Sequence, residues 1–159
     1  MISLKNISSA AAIGAVALSC FALSAQAQGG DSNPAVSARQ GQFQLMGLNI
    51  GVLGQMARGN TEYDAEAAQA AADNLLAISQ INQMFHWPEG TDTESIEGTR
   101  ALPAIWEEGS TVLDIWADYG AAAETLAGAA GQGLDEMRAA LGPVGAACGS
   151  CHDDYRAPE

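Results

Sequence analysis

The sequence predicts an all-α protein with the architecture of an antiparallel four-helix bundle. Strand signals are scarce, because no Asn-Gly or Asp-Gly turn separates alternating β-branched runs, and alanine, the strongest helix former, is abundant. Four stretches instead carry apolar residues at steps of three and four, and short breakers separate them. The last stretch has a seven-residue apolar period, which is typical of helices that pack along one another in a bundle.

The first helix is expected to begin at Ser32-Asn33-Pro34, where a capping residue precedes proline at the first helical position. It is expected to end near Arg58, before Gly59-Asn60. One glutamine interrupts its apolar stripe, whose members are Val36, Gln40, Phe43, Met46, Ile50, Leu53 and Ala57.

The second helix is expected to run from Thr61 or Tyr63 to near Phe85. Its inward side is predicted to carry small and aliphatic residues: Ala68, Ala72, Leu75, Ala77 or Ile78, and Ile81. Residues 86–102 contain one proline and two glycines, and they predict an ordered loop much longer than a helical hairpin needs. A loop of this length is either functional or disordered, and its aromatic and charged content favours a loop that covers another part of the molecule.

The third helix is expected to start at Pro103 and to end by residues 131–133. Its stripe is Ile105, Val112, Trp116, Tyr119, Ala123 and Leu126. The fourth helix has its apolar residues at steps of three, four, three, four and three, namely Leu134, Met137, Leu141, Val144, Cys148 and Cys151. Gly142-Pro143 lies inside it, and we predict a bend there and not a boundary, because the stripe resumes in phase.

Residues 1–27 are predicted to be a signal peptide. A lysine precedes an apolar run, Ala10 to Leu23, that is too short to span a bilayer, and Ala25-Gln26-Ala27 fits the small-x-small rule for cleavage after Ala27. Residues 28–159 are then one four-helix domain, and nothing in them is apolar enough to cross a membrane. A lipoprotein centred on Cys20 fits less well, because alanine stands three residues before the cysteine.

The charge of the chain limits its partners. After the predicted signal peptide, five arginines are the only Lys or Arg residues and 19 residues are acidic. A surface of that sign repels nucleic acid and anionic membranes, and it steers a basic partner toward itself. An acidic surface also keeps an exported protein soluble, which is the interpretation we prefer.

The motif Cys148-Gly149-Ser150-Cys151-His152 is the haem c attachment pattern, in which each sulfur adds to a haem vinyl group and the histidine ligates iron. On a helix, residues three apart lie on one face, so both sulfurs reach one porphyrin edge.

Other interpretations of this motif need residues or a structural context that the sequence does not provide. Zinc usually needs four Cys or His ligands, and only Cys20 and His86 remain elsewhere. A thioredoxin-like pair belongs at a helix N-terminus in a βαβ unit, whereas this pair ends a helical pattern. A disulfide between Cys148 and Cys151 remains an open alternative.

Several further motifs occur in a fixed order with this one. They are Arg39-Gln40 with Phe43 and Met46, then Pro88-Glu89-Gly90, then Leu102-Pro103-Ala104-Ile105-Trp106, and finally the stretch from Val144 to Arg156. Together they resemble cytochrome c prime, the class II haem c proteins of the bacterial periplasm, over essentially the whole mature chain. The resemblance implies a homodimeric four-helix bundle in the periplasm, with a five-coordinate high-spin haem that binds nitric oxide and carbon monoxide.

The resemblance also implies roles for nine residues. Cys148 and Cys151 would form the thioethers, and His152 would be the proximal ligand. Phe43 would lie over the distal face of the iron. The remaining five would surround the propionates and the proximal imidazole: Arg39, Gln40, Thr99, Arg100 and Arg156.

Two functions from different classes follow. The first is a gas-binding haem protein: phenylalanine does not ligate iron, so Phe43 favours an open site, and an apolar pocket favours small uncharged gases. Such a protein would also transfer single electrons to a redox partner that is not identified. The alternative is a low-spin electron carrier with Met46 or His86 as second axial ligand. An enzyme is not expected, because no general acid or base is visible beside the motif.

Overall fold

The computed structural model describes residues 33–158, and the predicted signal peptide, its cleavage site and Cys20 lie outside them. The described chain contains four α-helices and two short 3₁₀ turns. Each α-helix packs against the next, and α4 also contacts α1, which closes the bundle and confirms the predicted fold class. The helices are α1 (Pro34–Ala57), α2 (Ala65–Ser79), α3 (Val112–Ala129) and α4 (Leu134–Tyr155), and the 3₁₀ turns are Gln83–Phe85 and Pro103–Trp106.

The limits of α1 agree with the sequence. The Asn33 side chain accepts a hydrogen bond from the Ala35 amide at 2.9 Å, and Pro34 occupies the first turn. After Ala57 the chain turns at Gly59, whose φ of +73° favours glycine. The buried face of α1 differs from the predicted stripe, because Gln40 is exposed while Arg39, Gln42, Asn49 and Met56 are buried.

The second helix is shorter than predicted. It begins at Ala65 behind its cap Asp64 and ends at Ser79, so the predicted extension to Phe85 is wrong. The amides of Gln80 and Ile81 already bond three residues back, which tightens and ends the helix. Ile81, predicted to point inward, is 41% exposed.

The third helix begins later than predicted. Pro103 opens a separate 3₁₀ turn that ends at Trp106, and α3 starts only at Val112. Gly109 lies between them with a φ of +88°, a left-handed conformation that interrupts a helix. The predicted start at Pro103 is therefore wrong, although Ile105 is buried as expected.

The fourth helix runs without a break through Gly142-Pro143, so the prediction that no boundary lies there is confirmed, and the bend stays a prediction. Met137 and Val144 on its buried face are fully covered and join the main core between the four helices. A second, smaller apolar cluster lies under the long loop and contains Ala101, Ile105 and Tyr155. Within residues 33–158, no helix has an apolar stretch long enough to span a bilayer.

Candidate functional site

A cavity of about 1010 Å³ opens at one end of the bundle. Residues of α1, the segment after α2, the second 3₁₀ turn, the start of α3 and the end of α4 form its wall. A volume of this order is at the upper end of what small-molecule and cofactor sites enclose. The cavity is therefore large enough for a prosthetic group.

The end of α4 brings the three residues of the attachment motif to this wall. Cys148, Cys151 and His152 all line the cavity, and both cysteines are free thiols, so the open disulfide alternative receives no support. Burial raises the pKa of the Cys148 and Cys151 thiols, which keeps them protonated.

The surroundings of His152 favour the neutral form of its imidazole. Burial lowers its pKa, and the nearby positive charges of Arg156 and Arg100 lower it further. A neutral imidazole offers the nitrogen lone pair that a metal ion needs. Within residues 33–158, no group of three or more Cys, His, Asp or Glu side chains is placed to hold a metal ion.

A second cavity of about 360 Å³ adjoins the first. The two share part of their walls, including Phe43, Trp87 and Cys151. The second cavity gathers all five residues that the resemblance placed around the propionates and the proximal imidazole: Arg39, Gln40, Thr99, Arg100 and Arg156. Three of the chain's five arginines thus meet in one place, where carboxylates would find cationic partners.

The residues therefore fit a haem c group. Two free thiols and one neutral imidazole line a large cavity with many apolar side chains, and cationic side chains line its neighbour. Cys148 and Cys151 would hold the group through their sulfurs, and His152 would supply a nitrogen ligand to its iron.

Arg39 has a structural role that the sequence did not indicate. Its side chain is only 2% exposed, and its two terminal nitrogens donate to Thr91 Oγ1 at 2.7 Å, to the Thr91 carbonyl at 2.5 Å and to Thr99 Oγ1 at 2.6 Å. Burial lowers the pKa of Arg39, and the carboxylate of Asp92 raises it again. Arg39 therefore binds the long loop to α1.

Other residues of the second cavity also fix the loop and the C-terminus. Gln40 Nε2 donates to the Gly98 carbonyl at 2.6 Å, and Arg100 Nε donates to the Ala157 carbonyl at 2.8 Å. The Leu102 amide donates to the Tyr155 carbonyl at 3.0 Å. The loop is thereby tied to both α1 and the end of α4.

Of the residues considered for the distal side of the iron, Phe43 and Met46 line the larger cavity and His86 does not. Phe43 lines both cavities and is partly buried, and Met46 lies one turn further along α1 on the wall of the larger cavity, with 6% of its surface exposed. His86 lines neither cavity, and its Nδ1 is buried without a hydrogen-bond partner among the described residues. The structure therefore offers no support for His86 as an axial ligand.

Sequence reasoning missed several residues of the site. Trp87 lines both cavities, Met84 lies on the rim of the larger one, and Tyr155 lines the smaller one while its hydroxyl accepts a hydrogen bond from the Thr111 amide at 2.8 Å. Trp87 and Met84 lie outside the α-helices, where periodicity gives no signal. Their aromatic and apolar character in a polar stretch was the available clue.

Comparison with known proteins agrees with this geometry. A family model described as Cytochrome C' matches residues 34–156. The cytochrome c' of Cereibacter sphaeroides is 38% identical over 135 residues, which cover 85% of this chain and 91% of that protein. A solved cytochrome c' from Rhodobacter sphaeroides has a TM-score of 0.76 at 38% identity, over 79% of this chain and 96% of the other.

A cytochrome c prime variant from Alcaligenes xylosoxidans, solved with carbon monoxide bound, has a TM-score of 0.67 at 31% identity and covers 78% of this chain and 94% of its own. The family model and these relatives extend over most of the chain, and the residues that the family model matches include the Cys148 to His152 motif on the cavity wall. This chain is a member of the cytochrome c' family.

Proposed function

We propose that this protein is an exported periplasmic haem c protein with a five-coordinate, high-spin iron that binds nitric oxide and carbon monoxide and transfers single electrons. One observation carries the proposal: Phe43, which has no ligating atom, lies on the α1 wall of the cavity that His152 also lines. A site with one protein ligand and an apolar opposite wall leaves a position for a small exogenous ligand.

The chain's own residues would attach and orient the group. Cys148 and Cys151 would hold it by thioether bonds, and His152 would donate its neutral nitrogen, which the lowered pKa keeps available. Bound haem supplies an iron that takes up a diatomic ligand and changes its charge by one electron. The arginines of the second cavity would pair with the propionates, because a buried carboxylate needs a cationic or hydrogen-bonding partner.

The wall around Phe43 favours neutral ligands. Phe43, Met46 and Ile50 offer no hydrogen-bond donor to a bound anion or to dioxygen. Nitric oxide and carbon monoxide do not depend on such donors. Two variants of the similar Alcaligenes xylosoxidans protein have been solved, one with carbon monoxide bound and one with nitric oxide, which supports these two gases as ligands here.

A second candidate function rests on Met46. Its thioether lies on the wall of the same cavity and would make a low-spin electron carrier if it ligated the iron. Met46 also belongs to the main hydrophobic core, where it packs among buried side chains. We place it second for this reason.

Optical and EPR spectra of the purified ferric holoprotein test the proposal. We expect high-spin signals in the wild type and in Met46→Leu, whereas Phe43→Met should introduce a sulfur ligand and convert the signals to low spin. A low-spin wild type that becomes high-spin in Met46→Leu would instead establish the electron carrier. A high-spin wild type that fails to bind carbon monoxide after reduction would contradict the gas-binding function.

The surface of α1 supports a homodimer. Its only charged residue is Arg39, which is buried, so the exposed side of α1 is uncharged in a chain with a net charge of −13. Leu45 and Leu48 are 54% and 66% exposed there. Two acidic copies repel each other least where this uncharged apolar face is shared.

Sedimentation velocity tests the dimer. We expect a dimer for the wild type and a monomer for Leu48→Glu, because this substitution puts two like charges into the shared face. Thr125→Glu, which adds the same charge at an exposed position of α3, is the matched control and should leave the dimer intact. A wild type that is monomeric at micromolar concentration would refute the dimer. One solved cytochrome c' shows ligand-controlled dimer dissociation, so the gas-free protein is the form to measure.

A further inference from the structure

Trp87, in the long loop, lies directly against Phe43. The centroids of the two rings are 6.2 Å apart and their planes are inclined by 60°. This is a favourable tilted arrangement for an aromatic pair. Trp87 also lines both cavities, so its ring forms part of the partition beside the site.

The Trp87 ring is fixed from several sides. The guanidinium carbon of Arg39 lies 4.8 Å from its centroid, and its Nε1 donates to Gln83 Oε1 at 3.3 Å. Gln83 in turn donates to Oε1 of the buried Gln42 at 3.2 Å. The Trp87 carbonyl accepts a hydrogen bond from Trp106 Nε1 at 3.0 Å. Trp87 is therefore far more constrained than a loop side chain that only packs.

A fixed ring limits where Phe43 can go. A phenylalanine on a helix occupies a small number of rotamers, and moving between them requires free space beside the ring. Trp87 fills the space on its side of Phe43. Phe43 is consequently kept over the cavity that His152 lines.

We infer that Trp87 is a positioning residue that holds Phe43 in the path of a ligand approaching the iron, and that the contacts of Arg39 and Gln83 lock Trp87 for this task. The inference rests on the proposed gas-binding function. Trp87 would act on ligand entry only through Phe43, with no contact to the ligand itself.

Carbon monoxide association with the ferrous holoprotein is the first test. In Trp87→Leu we expect the association rate to rise about 2- to 12-fold, which is the factor that an aromatic pair of this geometry accounts for. Trp87→Phe retains a ring and should show a smaller rise. In a Phe43→Ala background, which already opens the path, Trp87→Leu should add nothing.

Tyr63→Leu is the matched control. Tyr63 is a partly buried aromatic residue at the opposite end of the bundle, where its hydroxyl donates to the Ala130 carbonyl, and it lines neither cavity. We expect this variant to lower the thermal midpoint and to leave the association rate unchanged. Loss of packing alone is thereby separated from loss of positioning.

Fluorine NMR provides a second test that does not depend on the gas-binding rate. With fluorophenylalanine incorporated, the mature chain has two labelled positions, Phe43 and the 80% exposed Phe85. In the diamagnetic carbon monoxide form, Trp87→Leu should shift and sharpen the Phe43 resonance while that of Phe85 stays in place. The same comparison in the haem-free chain reports on the ring contact without any ligand.

Each outcome decides between the alternatives. Rate effects of Trp87→Leu and Phe43→Ala that multiply, or a Phe43 resonance indifferent to Trp87, would overturn the positioning role. A wild type that does not bind carbon monoxide would refute the proposed function instead. The fluorine measurement on the haem-free chain would then still show whether Trp87 restrains Phe43.

Discussion

Replacing Arg39 by methionine is the sharpest test of how the long loop is held. Methionine retains the unbranched apolar stem of the side chain and removes the guanidinium. The change therefore deletes the bonds from α1 to Thr91 and Thr99 while leaving most of the packing in place. We expect the loop to detach before the bundle unfolds.

The expected loss of stability follows from which groups lose their partner. The buried Thr91 carbonyl loses the Arg39 donor, which costs about 1–3 kcal/mol. The Thr91 hydroxyl still donates to the Pro88 carbonyl, and the Thr99 hydroxyl still accepts from the Ala101 amide, so these two groups cost less. Loss of the cation–π contact with Trp87 adds about 0.5–2 kcal/mol.

One contribution to the change in the free energy of unfolding has the opposite sign. Burial of the Arg39 charge is itself unfavourable, as the lowered pKa of this group shows, and methionine removes that cost. We therefore expect a net decrease in the free energy of unfolding of about 2–4 kcal/mol.

Urea unfolding of the holoprotein, followed by far-UV circular dichroism, measures this decrease. Amide hydrogen exchange over residues 86–102 locates it, because these amides should lose protection while those of α2 do not. Arg58→Met is the matched control, since it removes the same charge from an exposed position after α1 and should change stability by no more than about 0.5 kcal/mol.

A decrease in Arg39→Met no larger than in Arg58→Met would contradict this prediction, because it would mean that the Thr91 carbonyl finds another partner without cost. Full stability in Arg39→Lys would also refute it. Lysine presents one ammonium group and does not reproduce two terminal nitrogens that donate to separate acceptors.

Three further predictions concern attachment, packing and pH. Replacing Cys148 and Cys151 by serine should give a chain from which acid–acetone extraction removes all porphyrin, whereas mass spectrometry of the extracted wild type should still show a haem adduct. Leu126→Ala, at a fully buried position, should lower the free energy of unfolding by about 2–5 kcal/mol in urea titrations. Burial raises the pKa of Tyr119. The contribution of Tyr119 to the free energy of unfolding should therefore be complete below about pH 10 and should decline as pH rises further, by at most about 1.4 kcal/mol per pH unit. Tyr119→Phe should abolish this component of alkaline unfolding, measured by urea titrations on both sides of that pH.

The attachment motif and the first and last helices, α1 and α4, were predictable because local chemistry determines them. The Cys148 to His152 spacing has few other meanings, and α1 begins where a side-chain cap and proline coincide. The seven-residue period of α4 likewise locates its buried side, with Met137 and Val144 fully covered. These signals need no knowledge of the rest of the fold.

The end of α2 and the start of α3 were not predictable in the same way. Pro103 at the first position starts a 3₁₀ turn as readily as an α-helix, and only the left-handed backbone of Gly109 shows that α3 has not begun. Arg39 lay outside the apolar stripe predicted for α1, and charged residues are rarely buried unless they have partners. Its partners lie about 50 residues away in the loop, so no local pattern reveals them.

The two errors in helix limits occur at the same end of the molecule, and together they explain why the cavity exists. α2 has 15 residues and α1 has 24, a difference of about 13.5 Å along a helix axis. Because α2 ends early and α3 starts late, 3₁₀ turns and loop join α1 and the start of α3 in the wall that the last turns of α4 face. The space thus created is lined by Cys148 and His152 on one side and by residues that the loop positions on the other. If helical pairing had continued to the end of the bundle, the same motif would have faced a packed core with no room for a prosthetic group.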